Sequence, residues 1–307
     1  MSNSFSREDF TKISFADKER FVEYYKRYPP RHSDTSFITM ATWDGYMDYF
    51  VCWKEGHPFV MTKRHENVFF RLPSGILSDE LLDKYLCFAV DHGGREPIGL
   101  IDQWQKESLV NRFKQAQFIE YTDYADYVYQ SKDLASLEGG EYAKIRNRLN
   151  KFLRSHTYKV HSLKEVDLDE LLVFLDKWCK KRRCEEDTIL EAEELAVKKA
   201  VRFSKELLLD GIILKIDNCI AALSLFEKFS KDTMLVHFEK GDPELTEVYK
   251  AINWVTANYA YDEGFMYLNR ESDMGVPGLR RVKKRYRPDH MIRVYDLIGE
   301  SLPASLC

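Results

Sequence analysis

Three stretches of the 307-residue chain carry side chains whose types and spacing can do chemistry. The densest runs from Tyr267 to Pro288 and offers Asn269, Arg270, Glu271, Asp273, Arg280, Lys283 and Tyr286 around Gly275 and Gly278. It follows an apolar strand pattern and opens a short helix, and open α/β sheets hold ligands in loops at the carboxyl ends of their strands. Glu271 and Asp273 are the groups suited to accept a proton, while Arg270 and Lys283 suit a developing oxyanion or a phosphate. On composition alone, a salt-bridged structural turn fits Arg270, Glu271 and Asp273 equally well.

The second stretch is Phe238-Glu239-Lys240-Gly241-Asp242-Pro243, leading into a helical pattern that contains Tyr249 and Asn253. Strand-to-helix steps of this kind cradle pyrophosphate when their backbone N–H groups and helix dipole are unopposed. Here Glu239, Asp242, Glu244 and Glu247 crowd the step, complement the dipole themselves and compete with an anion, which argues against coenzyme A. In the third stretch, Gly139-Gly140 precedes a helix with the apolar stripe Tyr142, Ile145, Leu149, Phe152 and Leu153. Lys144, Arg146, Arg148, Lys151 and Arg154 surround that stripe, a distribution that suits phosphate contact and equally a solvated connector.

These residues must be positioned by an α/β framework. A helix is expected over residues 6–28 and short strands over 36–42, 48–53, 58–62 and 68–72, with a helix capped by Ser78, a strand at 97–101, a helix at 103–114 and a strand at 117–121. After a helical connector at 131–156, the pattern predicts a strand at 159–163, helices at 168–183 and 191–209, and strands at 212–217, 219–227 and 233–238. A helix at 244–261, a strand at 265–269, a helix at 277–286 and a strand at 291–296 complete it. The order of strands, helix, strand, helix, strand occurs twice, so the expectation is a mixed-sheet α/β chain of two lobes, residues 1–130 and 131–307. By analogy this is the order of tandem GNAT-like (acyl-CoA N-acyltransferase-like) units.

Composition fits a folded, non-membrane protein: 44% hydrophobic, 31% charged, net charge −4, and no apolar run of bilayer length. The net charge provides no global attraction for phosphate, so any nucleic-acid contact must be local. The polar N-terminus has no signal-peptide core, which points to the cytoplasm. The six cysteines are scattered and are read as reduced thiols. Cys179 and Cys184 are near enough in sequence for a disulfide or a metal, although they lack two further ligands. No metal and no cofactor is expected.

The combination Asn269-Arg270-Glu271, Asp273, Gly275, Gly278-Leu279-Arg280, Lys283, Tyr286 and Pro288, preceded by Glu239-Lys240 and by Tyr249 with Ala251-Ile252-Asn253, resembles the C-terminal catalytic domain of phosphatidylglycerol lysyltransferases. The resemblance is strongest over 211–288, and the 139–154 segment fits it more loosely. It implies a tandem GNAT fold and transfer of an aminoacyl group from aminoacyl-tRNA to an acceptor, as in the related Fem-type peptidoglycan aminoacyltransferases. On that reading Asp273, Glu271 and Arg270 take the catalytic roles. Glu239, Lys240, Asn253, Asn269, Arg280, Lys283 and Tyr286 meet the substrate, and Lys144, Arg146, Arg148 and Lys151 meet the tRNA. The acceptor stays open between a lipid headgroup and a small amine; the membrane domain that precedes this module in phosphatidylglycerol lysyltransferases has no counterpart in the sequence, which counts against a lipid. An acyl-CoA-dependent N-acyltransferase and a non-catalytic binding module are the competing readings.

Overall fold

A computed structural model describes residues 4–307 and divides them into two mixed α/β units. The first unit comprises the chain up to Asp126 with Ser272–Val276 and Ile292–Cys307, and the second comprises Tyr127–Glu271 with Pro277–Met291. Strands and helices run in the order β1 (Thr11–Lys12), α1 (Lys18–Arg27), α2 (Phe37–Thr42), β2 (Asp48–Lys54), β3 (His57–Arg64), β4 (Asn67–Arg71), α3 (Asp79–His92), β5 (Ile98–Asp102), α4 (Gln103–Arg112), β6 (Phe118–Glu120) and β7 (Asp126–Gln130). They continue with α5 (Ser131–Ser136), α6 (Ala143–Ser155), β8 (Tyr158–Ser162), α7 (Leu168–Arg182), α8 (Thr188–Arg202), α9 (Ser204–Leu207), β9 (Asp210–Ile216), β10 (Cys219–Lys228), β11 (Thr233–Gly241), α10 (Val248–Asp262), β12 (Tyr267–Asn269), α11 (Pro277–Arg285), β13 (His290–Ile292) and β14 (Val294–Leu297). No helix among the described residues is long and apolar enough to cross a membrane.

Each unit is built on a seven-stranded sheet. The orders are β1-β2-β3-β4-β5-β14-β6 and β13-β7-β12-β11-β10-β9-β8. In the first, only β4 and β5 pair in parallel among the recorded ladders; in the second, only β11 and β12 do. Read from the β1 edge and the β8 edge, the two sheets follow one plan, with a single exchange. β14 occupies in the first sheet the place that β7 occupies in the second. The chain's last strand is therefore not part of a contiguous 131–307 lobe. It lies between β5 and β6, with Tyr295 opposite both Ile101 and Glu120, and its Val294 and Leu297 are fully buried. The segment expected to form one strand at 291–296 is broken at Arg293 into β13 and β14, which belong to different sheets.

Burial explains the elements that position the second unit's motifs. β10 is apolar and buried along nearly its whole length because α10 and α7 both pack on it, as a strand covered on two faces requires. α6 buries Ile145, Leu149 and Phe152, the expected stripe, within the core formed with Leu214, Phe226, Met234, Val236 and the small-residue face of α10. The first unit's core gathers Phe59, Phe70, Tyr85, Leu86, Ile98 and Leu297.

Several expectations are corrected. Residues 36–42 form the helix α2, not a strand; all six of its residues are buried, so no exposed face marks the helical period, and the Ser36 side chain caps it by accepting from Ile38 N at 3.1 Å. The helix expected at 6–28 is confined to α1, and the one expected from Glu244 begins at Val248 after a left-handed Glu247 with φ of 70°. The cysteines are not all free: Cys179 is joined to Cys184 and Cys87 to Cys307, each with Cα atoms 5.3 Å apart, while Cys52 and Cys219 are free. Left-handed Arg183 (φ 53°) turns the chain after α7 and returns Cys184 to Cys179.

Because β14 is an interior strand of the first sheet, removing residues 294–307 exposes β5 and β6 along one edge each. Hydrogen exchange on the truncated chain is expected to show lost protection at Ile98–Asp102 and Phe118–Glu120, together with a lowered melting temperature. Unchanged protection of both strands would contradict this topology.

Candidate functional site

The second sheet opens where its parallel pair ends. β11 and β12 are in register only from Thr233↔Tyr267 to Leu235↔Asn269, after which β12 stops and β11 runs on to Gly241. At the same level β11 carries a bulge: Leu225 of β10 pairs with Phe238 and Phe226 pairs with Val236, which leaves His237 as the extra residue. Alternation is thereby broken. Val236 packs in the core with α10, and Glu239, three residues later, also faces α10, where its Oε1 accepts from Asn253 Nδ2 at 2.9 Å.

Glu239 is the hub of a buried polar cluster. Its second oxygen accepts from Arg270 Nη2, so one carboxylate joins the helix α10 to the loop after β12. The Arg270 guanidinium lies 5.9 Å from the Tyr129 ring centroid and 5.4 Å from that of Tyr286. Burial opposes its charge, but the Glu239 carboxylate and the two phenols hold its pKa above the ordinary arginine value. Burial likewise pushes the Tyr286 hydroxyl up to about 12, so the ring stays neutral. Arg270 Nε and Nη1 are buried and have no hydrogen-bond partner among the described residues.

A second cluster surrounds His237, which is buried. Its Nδ1 lies 3.0 Å from Glu271 Oε1 and its Nε2 3.0 Å from Glu227 Oε1. Ionised carboxylates only accept, so both ring nitrogens donate and the ring is an imidazolium. Burial works against that charge, yet the two carboxylates outweigh it and raise the pKa to about 9. Glu271 itself has a left-handed backbone, φ 55°, which is costly for a side chain of this kind. The conformation is secured from several directions: Glu271 N donates to Asn269 Oδ1 at 2.8 Å, and Glu271 O accepts from Tyr127 N and from Lys283 Nζ, both at 3.1 Å.

The residues singled out from sequence fall into distinct groups. Glu239, Asn253, Asn269, Arg270, Glu271, Lys283 and Tyr286 lie together in the second unit; Asn269 and Lys283 support the loop backbone, with Lys283 donating to the Arg270 and Glu271 carbonyls. Lys240 points away from Glu239, pairing with Glu193 at 2.5 Å and lying 4.3 Å from the Trp178 ring centroid. Arg280 is half-buried on α11. Asp273 belongs to the first unit, is 1% exposed and accepts from Gly275 N at 2.9 Å, closing a tight turn. On α6, Lys144, Arg148 and Lys151 are exposed, whereas Arg146 turns back to the Leu137 and Gly139 carbonyls. Arg148 approaches Glu247 at 3.4 Å. Sequence reasoning missed His237, Glu227 and Tyr129. No spacing rule reveals the bulge, although a lone histidine two residues before Glu239 on a buried strand was a signal available to reading.

The carboxylates ahead of α10 are engaged: Lys181 bridges Asp242 and Glu244 at 2.8 and 2.6 Å, and Glu247 pairs with Lys250. Val248 N and Lys250 N are used within the turn, donating to the Leu245 and Glu247 carbonyls.

Two mixed seven-stranded sheets, one opening onto a buried polar cluster beside its parallel pair, define a tandem GNAT-like α/β fold. The family described as phosphatidylglycerol lysyltransferase, C-terminal, matches residues 25–298, and the chain belongs to that family. A conserved protein of unknown function from Bacteroides thetaiotaomicron VPI-5482 superposes with a TM-score of 0.83 at 26% identity, covering 94% of this chain and 98% of that one. L-PGS from Bacillus licheniformis gives 0.63 at 14% identity over 94% of each chain, and FemX gives 0.58 at 11% identity over 94% and 98%. At those identities the last two are likenesses of fold. Among curated protein sequences, none matches the chain.

His237 links stability to pH with a definite sign. Its folded pKa lies above the ordinary 6.5, so the stability it contributes is fully present below pH 6.5, declines as pH rises and is lost above about pH 9. The difference between those limits is about 3 kcal/mol. Urea unfolding at pH 6, 7.5 and 9.5 is expected to show that decline in the wild type and its loss in His237→Gln; parallel pH dependences in the two proteins would mean the ring is not held protonated.

Proposed function

We propose that the chain is an aminoacyltransferase that moves an aminoacyl group from aminoacyl-tRNA to an acceptor bearing a hydroxyl or amine, working in the cytoplasm. The observation that carries this reading is Arg270: a buried guanidinium, fixed by Glu239 and Asn253, with Nε and Nη1 left without a protein partner. Unpaired buried donors are costly and rare, and a fixed fork of N–H groups complements a carbonyl oxygen that becomes an oxyanion. An aminoacyl ester is already activated, so orientation, removal of one proton and oxyanion stabilisation suffice for its transfer. Glu271 is the group best suited to take that proton, because its side chain is 26% exposed while its backbone is locked. Asp273, almost wholly buried in its turn, is less suited. Membership in the lysyltransferase family supports the reaction class.

The donor reading is favoured over acyl-CoA because the carboxylates at the start of α10 are retained in ion pairs, where an incoming pyrophosphate would meet them. Lys144, Arg148 and Lys151, exposed along one helix, suit tRNA phosphates.

Purified protein screened with charged tRNAs and labelled amino acid is expected to transfer the label to a lipid or small-amine acceptor. Arg270→Lys keeps the charge beside Glu239 but loses the fork, so transfer should fall about 10²-fold with little change in melting temperature. Undiminished transfer by Arg270→Lys, or acylation from acyl-CoA in place of charged tRNA, would displace the proposal. For Lys144→Ala combined with Lys151→Ala, the slope of log affinity for tRNA against log salt is expected to flatten by about one per lysine removed. An unchanged slope would take α6 out of the tRNA footprint.

A further inference from the structure

The carboxylate–imidazole–carboxylate chain formed by Glu227, His237 and Glu271 sits beside the cluster that carries the proposed transfer, yet that reaction as written needs only Glu271. Three features of the chain ask for an explanation. His237 is the extra residue of the β11 bulge, so the strand departs from regular pairing at the position that carries this ring. Both of its nitrogens are spent on carboxylates, 3.0 Å away on either side. One of those partners, Glu271, holds a left-handed backbone secured by Asn269, Tyr127 and Lys283. Strained residues whose surroundings over-determine them cluster at functional sites, and a buried group that fixes the orientation of a partly exposed one is the usual form of support for a reacting side chain.

We propose that His237 is a positioning residue for Glu271, holding its carboxylate in one orientation toward the acceptor, with Glu227 holding His237 in turn. This deepens the aminoacyl-transfer reading and rests on it. In the step concerned, the acceptor's oxygen or nitrogen bonds to the ester carbonyl carbon and the bond from that carbon to the ribose oxygen breaks. The acceptor's proton passes to the Glu271 carboxylate and from there to the departing ribose oxygen, so no net proton is gained or lost by the protein. Once the acceptor has added to the carbonyl its proton is strongly acidic, so what the transfer asks of the Glu271 carboxylate is that it be correctly aimed. The titratable groups facing His237 are Glu227 from β10 and Glu271 from the loop after β12; the Phe238 ring is a third neighbour, 6.2 Å away.

The test has an arm that does not depend on activity. In the full chain labelled with ¹⁵N-histidine, both His237 ring nitrogens are expected to give protonated signals at pH 7.5, with Nδ1 altered by Glu271→Gln and Nε2 by Glu227→Gln. A neutral ring, or a ring indifferent to Glu271→Gln, overturns the proposal whether or not the protein transfers anything. In the transfer assay, His237→Gln should lower kcat by about 10-fold to 10²-fold while KM for the charged tRNA stays within 2-fold. Glu227→Gln leaves the ring in place and guards against a variant that fails to fold; it should lower kcat less and move the basic limb of the kcat profile to lower pH. A wild-type kcat in His237→Gln, or an effect confined to KM, counts against positioning. Should the wild-type chain transfer from no charged tRNA, the functional reading falls alone, and the nitrogen signals still decide whether His237 holds Glu271.

Discussion

An arginine enclosed between two tyrosine rings can keep its charge only beside a carboxylate, and Glu239 is brought to Arg270 by the meeting of three elements: the run of β11 past its parallel partner, the helix α10 that presents Asn253, and the loop that follows β12. Removing one member of such a buried pair typically costs about 3–5 kcal/mol, whereas replacing both with apolar groups is often neutral. A pair of this kind is thus a poor device for stability alone. Leaving two of the guanidinium's donors unsatisfied makes it poorer still. The arrangement makes sense where a charged fork must be held rigid for something other than folding.

Rigidity here depends on the bulge. In a regular strand, residues 236 and 239 point to opposite faces. With His237 as an added residue they point to the same one, which brings Glu239 under α10 and sends Lys240 to Glu193 and Trp178 on the other side. The same irregularity places His237 between Glu227 and Glu271. One inserted residue therefore creates the Glu239 hub and the histidine chain together, and neither would survive its deletion without re-pairing β10 and β11 from Leu225 onward.

Much of this was legible in the sequence. The order of most strands and helices, the apolar stripe of α6 and the concentration of charged and polar side chains between Glu239 and Tyr286 follow from periodicity and residue type, because they are local properties of the chain. What periodicity could not supply was parity and partnership. Glu239-Lys240 reads as one site and serves two faces. Lys283, a candidate for an oxyanion, spends its ammonium on the Arg270 and Glu271 carbonyls, and Arg146 does the same for the turn after α5. The fully buried α2 showed no helical face, and the destination of β14 is a long-range pairing that no window of sequence contains.

That long-range pairing bears on how the site is assembled. The chain passes between the two units at Asp126/Tyr127, Glu271/Ser272, Val276/Pro277 and Met291/Ile292, and the middle two passages flank the loop that carries the motif. Arg270 and Glu271 are tied at the backbone to Tyr127 of β7, a strand that precedes them by more than 100 positions, and the turn of Asp273 is folded with the first unit. The left-handed backbone of Glu271 cannot be set by local sequence preference, which disfavours it. It is set by long-range contacts that form only when β7, β12 and α11 have come together. Their closure entropy is met by the packing of the second sheet as a whole, so the geometry of this loop is a property of the assembled unit and not of the segment alone.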